Sequence, residues 1–546
     1  MRRLLVPCLA ALACCAPAAA VPGHPGAAVV PAAPTLQRLQ AYPDTLVELD
    51  RLRGEDATPA LRRAGGELIA APLALWRLPS WTAEQLLPGL VRRGLVRSVT
   101  PDVPVGTDPR SGRGFFAQLF VDPLSPTEWW IPHIGADRWT PPGPGIPVTM
   151  IDSGVDLSHE EFAGRPNTVP LNTQNITAND EEAHGTATAS VAGAPENGVG
   201  IVGLYPQAKL QIWDASPAGQ LTVGDEIGGL FAARRNGRGV INLSLGGFDR
   251  IPIEEHAIMS VIEAGSLVVA SVGNDREGGS QPSYPATFPH VLTVGATDEA
   301  DRVTGFSSVS QAIDLAAPGQ DMPAAVPKAY NSLGYATVDG TSFSAPLVSA
   351  AAAAVWTMRP TLKNTQLFEV MRRSARDIGR RGWDIDTGYG LLDVPAALAR
   401  AALPAEPQEP NEDIYLVKPN GLSRAGHALL TNRNRRRANL RARLERAEDP
   451  EDVYRVYLPA KGKLVVTIRP TANLALQVWG RRTRTVFERG AAARRDLLGA
   501  SDKRGKRFER VTVTGRGAGQ FVYVDVFLRK GIRGASYTLS IAPAAR

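Results

Sequence analysis

The chain has 546 residues, of which 44% are hydrophobic and 21% are charged, and its formal net charge is +6. This length predicts several domains, and the composition excludes a largely disordered or fibrous protein. The charge is unevenly divided, because 29 of the 60 Lys and Arg residues but only 14 of the 54 Asp and Glu residues lie from residue 401 onward. That region therefore carries +15 and the remainder −9, which indicates different surroundings for the two parts.

Residues 1–20 have the pattern of a secretory signal peptide. Arg2 and Arg3 precede an apolar stretch from Leu4 to Ala13, and small residues lead to a cleavage site after Ala20. Cleavage there would remove every cysteine and with them any disulfide or catalytic thiol: Cys8, Cys14 and Cys15. We therefore expect a secreted protein, extracellular or in the cell envelope, with lipid attachment at Cys15 as the alternative. No later segment predicts a transmembrane span.

Residues 21–113 form the next predicted unit. Its first part, 21–42, is rich in Ala and Pro and is predicted to be an extended linker. The part from 43 to 104 has the order strand, helix, strand, helix, strand, which predicts a small two-layer α+β domain. Residues 105–113 are polar and rich in Gly and Arg, so they are predicted to be an exposed linker.

Residues 114–403 are predicted to form an α/β domain. Short apolar strands are expected at 148–151, 209–213, 240–243, 267–271 and 291–294, with helices at 223–235 and 253–264 between them. Apolar strands that alternate with helices indicate a doubly wound parallel sheet covered on both faces. In such sheets, functional sites form at the carboxyl ends of the strands.

A second linker is predicted at 404–415, and residues 416–546 are predicted to form a basic β-sandwich domain. Alternating apolar and polar residues indicate strands at 453–458, 463–468, 474–479, 511–514, 521–527 and 536–541. No helical pattern is visible among them, which is typical of an antiparallel sandwich.

Four chemically competent residues stand at strand ends or helix starts of the α/β domain. Ser342 lies just before the apolar segment Leu347–Trp356, where a helix start would offer unpaired N–H groups to an oxyanion. Asp152 and Asn274 follow predicted strands, and His184 opens a run of small residues. Each alone has an ordinary explanation as a helix cap, a surface histidine or a turn residue. Their common position at one face favours a catalytic site.

Acyl transfer assigns a role to each of the four. Ser342 would be the nucleophile and His184 the base that takes its proton and passes it to the leaving amine. Asp152 would hold the imidazole in the required tautomer. Asn274 would donate its amide to the oxyanion.

Three segments carry a resemblance to a known family. Residues 148–154, the block opening at His184 and residues 340–346 resemble the three signature blocks of subtilisin-like serine proteases, in that family's order of Asp, His and Ser. The resemblance extends over about 122–402. It implies a subtilisin fold and the hydrolysis of peptide bonds in extended polypeptides, with no cofactor required for the chemistry.

The resemblance also assigns a substrate-binding cleft. One wall would pair with the substrate backbone as an added strand, and the other would close the primary pocket: Ser244, Leu245 and Gly246, and then Ser271, Val272 and Gly273. Two segments depart from the family pattern. Residues 187–190 lack a second histidine. Residues 275–277 are more charged than usual, so the family pattern does not predict the subsites near them.

The family resemblance further implies a propeptide and a calcium site. Residues 21–113 would be an inhibitory propeptide removed by self-cleavage between Val105 and Val121. Glu161 and Asn197 would be side-chain ligands of a structural Ca²⁺, with an ordinary polar loop as the equally weighted alternative. The C-terminal domain resembles the β-sandwich domains that follow bacterial secreted peptidases.

Three hypotheses of function follow from these patterns. The first is a secreted, monomeric serine endopeptidase that is activated by propeptide cleavage. The second is a catalytically silent subtilisin-fold protein that binds a surface, and the third is a serine esterase. Arginine runs such as 435–437 would suit an acidic cell-surface polymer, although solvated charged faces have the same composition.

Overall fold

A computed structural model describes residues 42–50, 54–106, 110–111, 122–176, 180–406 and 408–544. The predicted signal peptide with its cysteines, nearly all of the Ala/Pro-rich linker and most of the predicted cleavage interval lie outside these residues. Among the residues described, no helix is long and apolar enough to cross a membrane.

Residues 42–106 form an α+β module with a core of its own. An antiparallel sheet in the order β2-β3-β1-β4 packs against two helices. These elements are β1 (Asp44–Leu49), α1 (Thr58–Arg63), β2 (Glu67–Ala70), β3 (Leu75–Pro79), α2 (Ser80–Arg92) and β4 (Val96–Pro101). Alternate residues of β1 face opposite sides, so Val47 joins the module's own core whereas Leu46 joins a cluster shared with the next domain.

The central domain is built on a seven-stranded sheet in the order β12-β11-β10-β9-β6-β8-β7, and every pairing in it is parallel. Its strands are β6 (Val148–Asp152), β7 (Thr168–Pro170), β8 (Leu210–Asp214), β9 (Val240–Leu243), β10 (Leu267–Ser271), β11 (Val291–Thr297) and β12 (Ile313–Pro318). A smaller antiparallel sheet contains β5 (Arg110–Ser111), β13 (Met322–Ala325) and β14 (Tyr335–Asp339).

Helices cover both faces of the parallel sheet, which confirms the predicted doubly wound fold. They are α3 (Trp130–His133), α4 (Asp180–Gly193), α5 (Val223–Arg235), α6 (Pro252–Glu263), α7 (Thr341–Met358), α8 (Asn364–Ser374) and α9 (Val394–Ala399). The apolar faces of α5 and α6 lie in one core cluster, and those of α4 and α7 lie in the other. Residues 341–356 of α7 are all buried, so this helix runs through the centre of the domain.

The C-terminal module contains two four-stranded antiparallel sheets, in the orders β15-β22-β17-β20 and β16-β21-β18-β19. The strands are β15 (Ala438–Glu445), β16 (Glu451–Leu458), β17 (Lys463–Pro470), β18 (Leu474–Trp479), β19 (Leu497–Ser501), β20 (Glu509–Thr514), β21 (Gln520–Leu528) and β22 (Gly534–Pro543). Two short helices accompany them, α10 (Ile414–Val417) and α11 (Gly490–Asp496). The two antiparallel sheets confirm the predicted all-β architecture, and α11 gives no visible helical pattern in the sequence because it is too short to display an amphipathic period.

Charged groups hold the C-terminal module against the central domain. The buried guanidinium of Arg372 lies 3.3 Å from Asp314 and 2.8 Å from Glu445, and it also pairs with Glu369. The second half of the predicted linker is buried at this junction, and the Glu409 side chain is only 4% exposed. Burial raises the pKa of Glu409 well above its usual range, and the nearby carboxylate of Asp452 raises it further.

Candidate active site

Asp152 and His184 form a buried hydrogen-bonded pair. Asp152 is the last residue of β6, and its Oδ1 lies 2.7 Å from Nδ1 of His184 in α4. The backbone N–H of Ser153 also donates to Oδ1, at 2.8 Å. The hydroxyl of Thr188, one helical turn after His184, donates to Oδ2 at 3.0 Å. The carboxylate is thereby fixed in the orientation that holds Nδ1 of the imidazole protonated.

Thr188 is a site residue that the sequence reasoning did not identify. It stands four residues after His184, so the two side chains share one face of α4. In the sequence, residues 187–190 differ from the family pattern by their small side chains and by the absence of a second histidine. The i, i+4 spacing of a hydroxyl from the histidine was the signal that could have revealed this contact.

Ser342 lies in the first turn of α7 and close to the imidazole. The neighbouring Phe343 ring packs against His184, with 5.6 Å between the ring centroids. The Ser342 hydroxyl donates to the carbonyl of Ser244 at 3.4 Å, and among the described residues Nε2 of His184 is buried without a hydrogen-bond partner. Among the described residues, Ser342 and His184 are therefore not joined by a hydrogen bond. The serine hydroxyl can change its rotamer, and resting catalytic sites commonly lack the tight bond.

Asn274 is oriented by the start of α7. Its Oδ1 accepts hydrogen bonds from both the backbone N–H and the hydroxyl of Thr341, each at 2.9 Å. Gly273 precedes it with φ +102°, a turn that a side chain would strain. Because the carbonyl end of the amide is held at the helix, the NH₂ end is directed away from Thr341. Asn274 and Ser342 line the same cavity, which has a volume of about 450 Å³.

The two predicted cleft walls face this cavity. Among the predicted residues, those that line it are Ser244, Leu245, Gly246, Ser271 and Gly273. Val272 differs, because its side chain is buried and its backbone N–H donates to Val294 in the sheet. It supports the wall without lining the cavity.

A segment of the N-terminal module occupies the cleft as an extended strand. Gly106 and Gly246 exchange two backbone hydrogen bonds, of 3.1 and 3.2 Å. On the other side, the N–H of Val105 donates to Leu221 at 2.9 Å, and the carbonyl of Val103 accepts from Val223 at 3.1 Å. The predicted pairing edge therefore binds an added strand between two neighbouring segments.

Asp102 and Arg77 anchor that strand at the start of α5. Asp102 Oδ1 accepts from the backbone N–H of Gly224 at 2.8 Å, and its Oδ2 lies 2.7 Å from Nε of Arg77. Arg77 also lies 3.2 Å from Asp225 of α5. Burial raises the pKa of Asp102 despite the cation beside it, so removal from water offsets part of the gain from pairing.

The predicted calcium ligands lie together in a cluster of oxygen donors. Asn197 Nδ2 is 3.4 Å from Glu161 Oε2, while Asp122 Oδ1 accepts from the N–H of Asn197 at 3.1 Å. Glu161 Oε1 accepts from the hydroxyl of Tyr335 at 3.0 Å. Burial raises the pKa of Glu161 to about 8, and the Asp122 charge contributes. Two neighbouring carboxylates suit a hard divalent cation such as Ca²⁺, whereas Asn197 turns its amide nitrogen toward Glu161 and its Oδ1 accepts from the N–H of Val199.

Comparisons with known proteins agree with this geometry. Residues 143–390 match the profile of the subtilase family. The chain is 32% identical to Subtilisin DY of Bacillus licheniformis over 275 residues, covering 49% of this chain and 97% of that protein. It is 31% identical to Subtilisin NAT of Bacillus subtilis subsp. natto over 260 residues, where the match spans 47% of this chain and 66% of the relative.

A solved structure has the same fold over most of the chain. The crystal structure of fervidolysin from Fervidobacterium pennivorans, described as a keratinolytic enzyme related to subtilisin, superposes with a TM-score of 0.57 at 18% identity. The superposition covers 88% of this chain and 92% of that one. That superposition shows the fold, while the 32% identity to Subtilisin DY over 97% of that protein, with the family profile over residues 143–390, establishes that the chain belongs to the subtilase family.

Proposed function

We propose that this chain is a serine endopeptidase that cleaves extended polypeptides. The observation that carries this proposal is the strand formed by residues 103–106, which pairs with Gly246 beside a cavity lined by Ser342 and Asn274. A backbone held in this way brings a peptide carbonyl toward the helix start, whatever side chains the substrate has.

The proposed chemistry uses the side chains around that cavity. His184 takes the proton from Ser342 as the hydroxyl attacks the carbonyl, and Asp152 stabilises the imidazolium through the 2.7 Å bond. Asn274 donates its amide to the oxyanion, with its orientation fixed by Thr341. His184 then gives the proton to the leaving amine.

The N-terminal module is proposed to be an inhibitory propeptide. Its last described strand occupies the cleft that a substrate would use, and Arg77 and Asp102 hold it there. Cleavage after this strand and release of the module would free the cleft. Secretion through the predicted signal peptide completes the proposed route to an active enzyme outside the cell.

Two further features belong to the proposal. Asp122, Glu161 and Asn197 would hold a structural Ca²⁺ that stabilises the loop around them, and EDTA is expected to lower the Tm of the wild type more than that of Glu161→Gln.

The arginines of 435–437 are exposed and would bind an acidic cell-surface polymer. Salt-sensitive retention on a polyanion column, lost on replacement of these arginines by serine, is the expected result.

The full-length chain tests the proposal directly. The wild type is expected to process itself, degrade casein and react with a fluorophosphonate, whereas Ser342→Ala does none of these. Ser344→Ala is a control from the same helical turn, because its hydroxyl bonds to the carbonyl of Ala317 instead of facing the site. A folded wild type without any of these activities would support the silent surface-binding protein. Hydrolysis of esters alone would support the esterase.

A further inference from the structure

A group of acidic side chains lies where the predicted linker 404–415 meets the C-terminal module. Glu409 comes from that linker, Asp449 from the turn between β15 and β16, and Asp452 from β16 itself. One carboxylate oxygen of each residue lies within 4.8 Å of one oxygen of each of the other two. Three separate segments of the chain therefore bring carboxylates to a single point.

Hydrogen bonds do not balance the burial of these carboxylates. The side chains of Glu409 and Asp449 are buried, yet both oxygens of Glu409 and Oδ1 of Asp449 lack a hydrogen-bond partner among the described residues. Burial raises the pKa of Asp449 well above its usual range, and four neighbouring carboxylates raise it further. Buried acidic groups are normally paired with a cation or bound to a metal ion, because removal of their charge from water is costly.

An uncharged side chain is directed at the same point. Asn411 is 0% exposed, and in the part of the chain that the structure describes neither atom of its amide has a hydrogen bond of normal geometry. Burial raises the pKa of Asp452 to about 7, and the Asn411 amide opposes this shift, which places the amide beside that carboxylate. Buried amides without a partner are rare in proteins. Asn411 thus offers a neutral oxygen donor next to the three carboxylates.

Two tyrosine hydroxyls fix the orientation of Asp452. Tyr454 donates to its Oδ1 at 2.9 Å, and Tyr537 donates to its Oδ2. All three side chains are buried. Carboxylates that bind metal ions are commonly held by hydrogen bonds of this kind, and each oxygen keeps a lone pair for the ion. The carboxylate of Asp452 is therefore positioned before any ion binds.

A cavity gives an ion access to these side chains. Its volume is about 420 Å³, and Glu409 and Asp449 are among the residues that line it. Exposed residues such as Leu403 and Arg441 line it as well, so the cavity opens toward solvent. It has room for an ion and for water molecules that complete the coordination of the ion.

We propose that Glu409, Asp449 and Asp452 bind a Ca²⁺ ion at this junction, with the amide oxygen of Asn411 as a further ligand. Ca²⁺ takes about six to eight oxygen ligands from carboxylates, amide carbonyls and water. The ion would offset the charge of the three carboxylates and join the linker to the turn before β16. The site is separate from the Ca²⁺ site proposed around Glu161, and it does not depend on the peptidase function.

The histidine beside these carboxylates is already paired. His290, which precedes β11 in the central domain, bonds through Nε2 to Glu412, and the same nitrogen lies 3.6 Å from Glu409. A zinc ion would need this nitrogen as a ligand and would have to displace the pairing with Glu412. The ligands that remain are all oxygens, which Ca²⁺ prefers.

Calcium binding to the Ser342→Ala precursor tests the site without any need for catalysis. Equilibrium dialysis is expected to give a Kd at or below about 10⁻³ M, the range of extracellular calcium modules. Glu409→Gln/Asp449→Asn should bind one Ca²⁺ fewer per chain, and the same loss is expected when Glu161→Gln is also present. Asp502→Asn is the matched control, because Asp502 pairs with Arg529 at 3.1 Å in the same module and is not one of the clustered acids. Unchanged stoichiometry in the double variant overturns the site.

Thermal unfolding separates a calcium site from carboxyl groups that only share protons. In Ca²⁺ the precursor should have a higher Tm than Glu409→Gln/Asp449→Asn, since an ion that binds only the folded chain stabilises it. In EDTA the difference should vanish or reverse, because the amides remove repulsion between carboxylates. A lower Tm of the double variant in both conditions overturns the proposal. Asp449→Asn alone repeats both measurements if the double variant does not fold. Stabilisation by Zn²⁺ and not by Ca²⁺, lost in His290→Ala, also overturns the proposal.

Discussion

Replacing Thr341 with valine tests whether the orientation of Asn274 contributes to catalysis. The substitution keeps the shape of a fully buried side chain and removes one of the two 2.9 Å hydrogen bonds that Asn274 Oδ1 accepts. A single intramolecular hydrogen bond contributes about 1 kcal/mol, which corresponds to a loss of roughly fivefold to tenfold in kcat if the amide must be held in the transition state. Complete loss of the donor in Asn274→Ala is expected to cost about 10²–10³.

Steady-state kinetics on a chromogenic peptide distinguish a positioning role from a general effect on folding. We expect kcat to fall with KM unchanged, because the amide acts on the oxyanion and not on the bound substrate. Thr337→Val is the control, since the Thr337 hydroxyl is buried without a partner among the described residues and Thr337 is not among the residues that line the cavity. In the Asn274→Ala background, Thr341→Val should have no further effect. A full additive loss there would show that Thr341 acts independently, and the reasoning from the two hydrogen bonds would be refuted.

Three more predictions concern the triad, the propeptide and the junction with the C-terminal module. Asp152→Asn is expected to lower kcat by about 10⁴ with an unchanged circular dichroism spectrum, because the pair would no longer hold the imidazole tautomer. Arg77→Met removes the pairings with Asp102 and Asp225 and should release the propeptide earlier in a time course of self-processing, and unchanged timing would contradict the anchor. Burial raises the pKa of Asp452 to about 7 from 3.8, so between these two values the folded chain keeps a proton that the unfolded chain releases. The free energy of unfolding should therefore decrease by on the order of 4 kcal/mol as the pH rises from about 4 to 7. Thermal unfolding in EDTA measures this slope, and Asp452→Asn should flatten it.

Much of the fold could be predicted because the buried strands are short apolar runs. The strands predicted at 240–243 and 267–271 have the bounds found in the structure. The last strand of the parallel sheet, β12, was missed because Ile313–Pro318 contains a buried aspartate and ends in proline. The missed β15 contains Leu440-Arg441-Ala442-Arg443-Leu444, and a segment so rich in arginine is equally typical of a solvated charged face as of a strand with a period of two.

The chemical groups of the site could be predicted because each stands at a strand end or a helix start. The contacts that support these groups could not be predicted, because they depend on distances between segments that are far apart in the sequence. Thr341 and Thr188 are unremarkable in the sequence, yet one orients Asn274 and the other holds Asp152. The ion pair between Arg77 and Asp102 joins positions 25 residues apart. Asp102 also accepts a hydrogen bond from the N–H of Gly224 in α5, over a hundred residues later.

Glu226 and Glu254 show why the burial of a charged side chain is harder to predict than its position in a helix. Acidic residues in the first turn of a helix are favoured by the helix dipole, so both glutamates have an ordinary explanation in the sequence. Only the structure reveals that each faces inward while Asp225 and Glu255 face cations. Residues 221–223 and Gly246 pair with the bound strand, and the helices that contain the two glutamates begin at Val223 and at Pro252. The sequence does not distinguish the buried glutamates from the paired acidic residues beside them, because the distinction depends on which face of each helix packs inward.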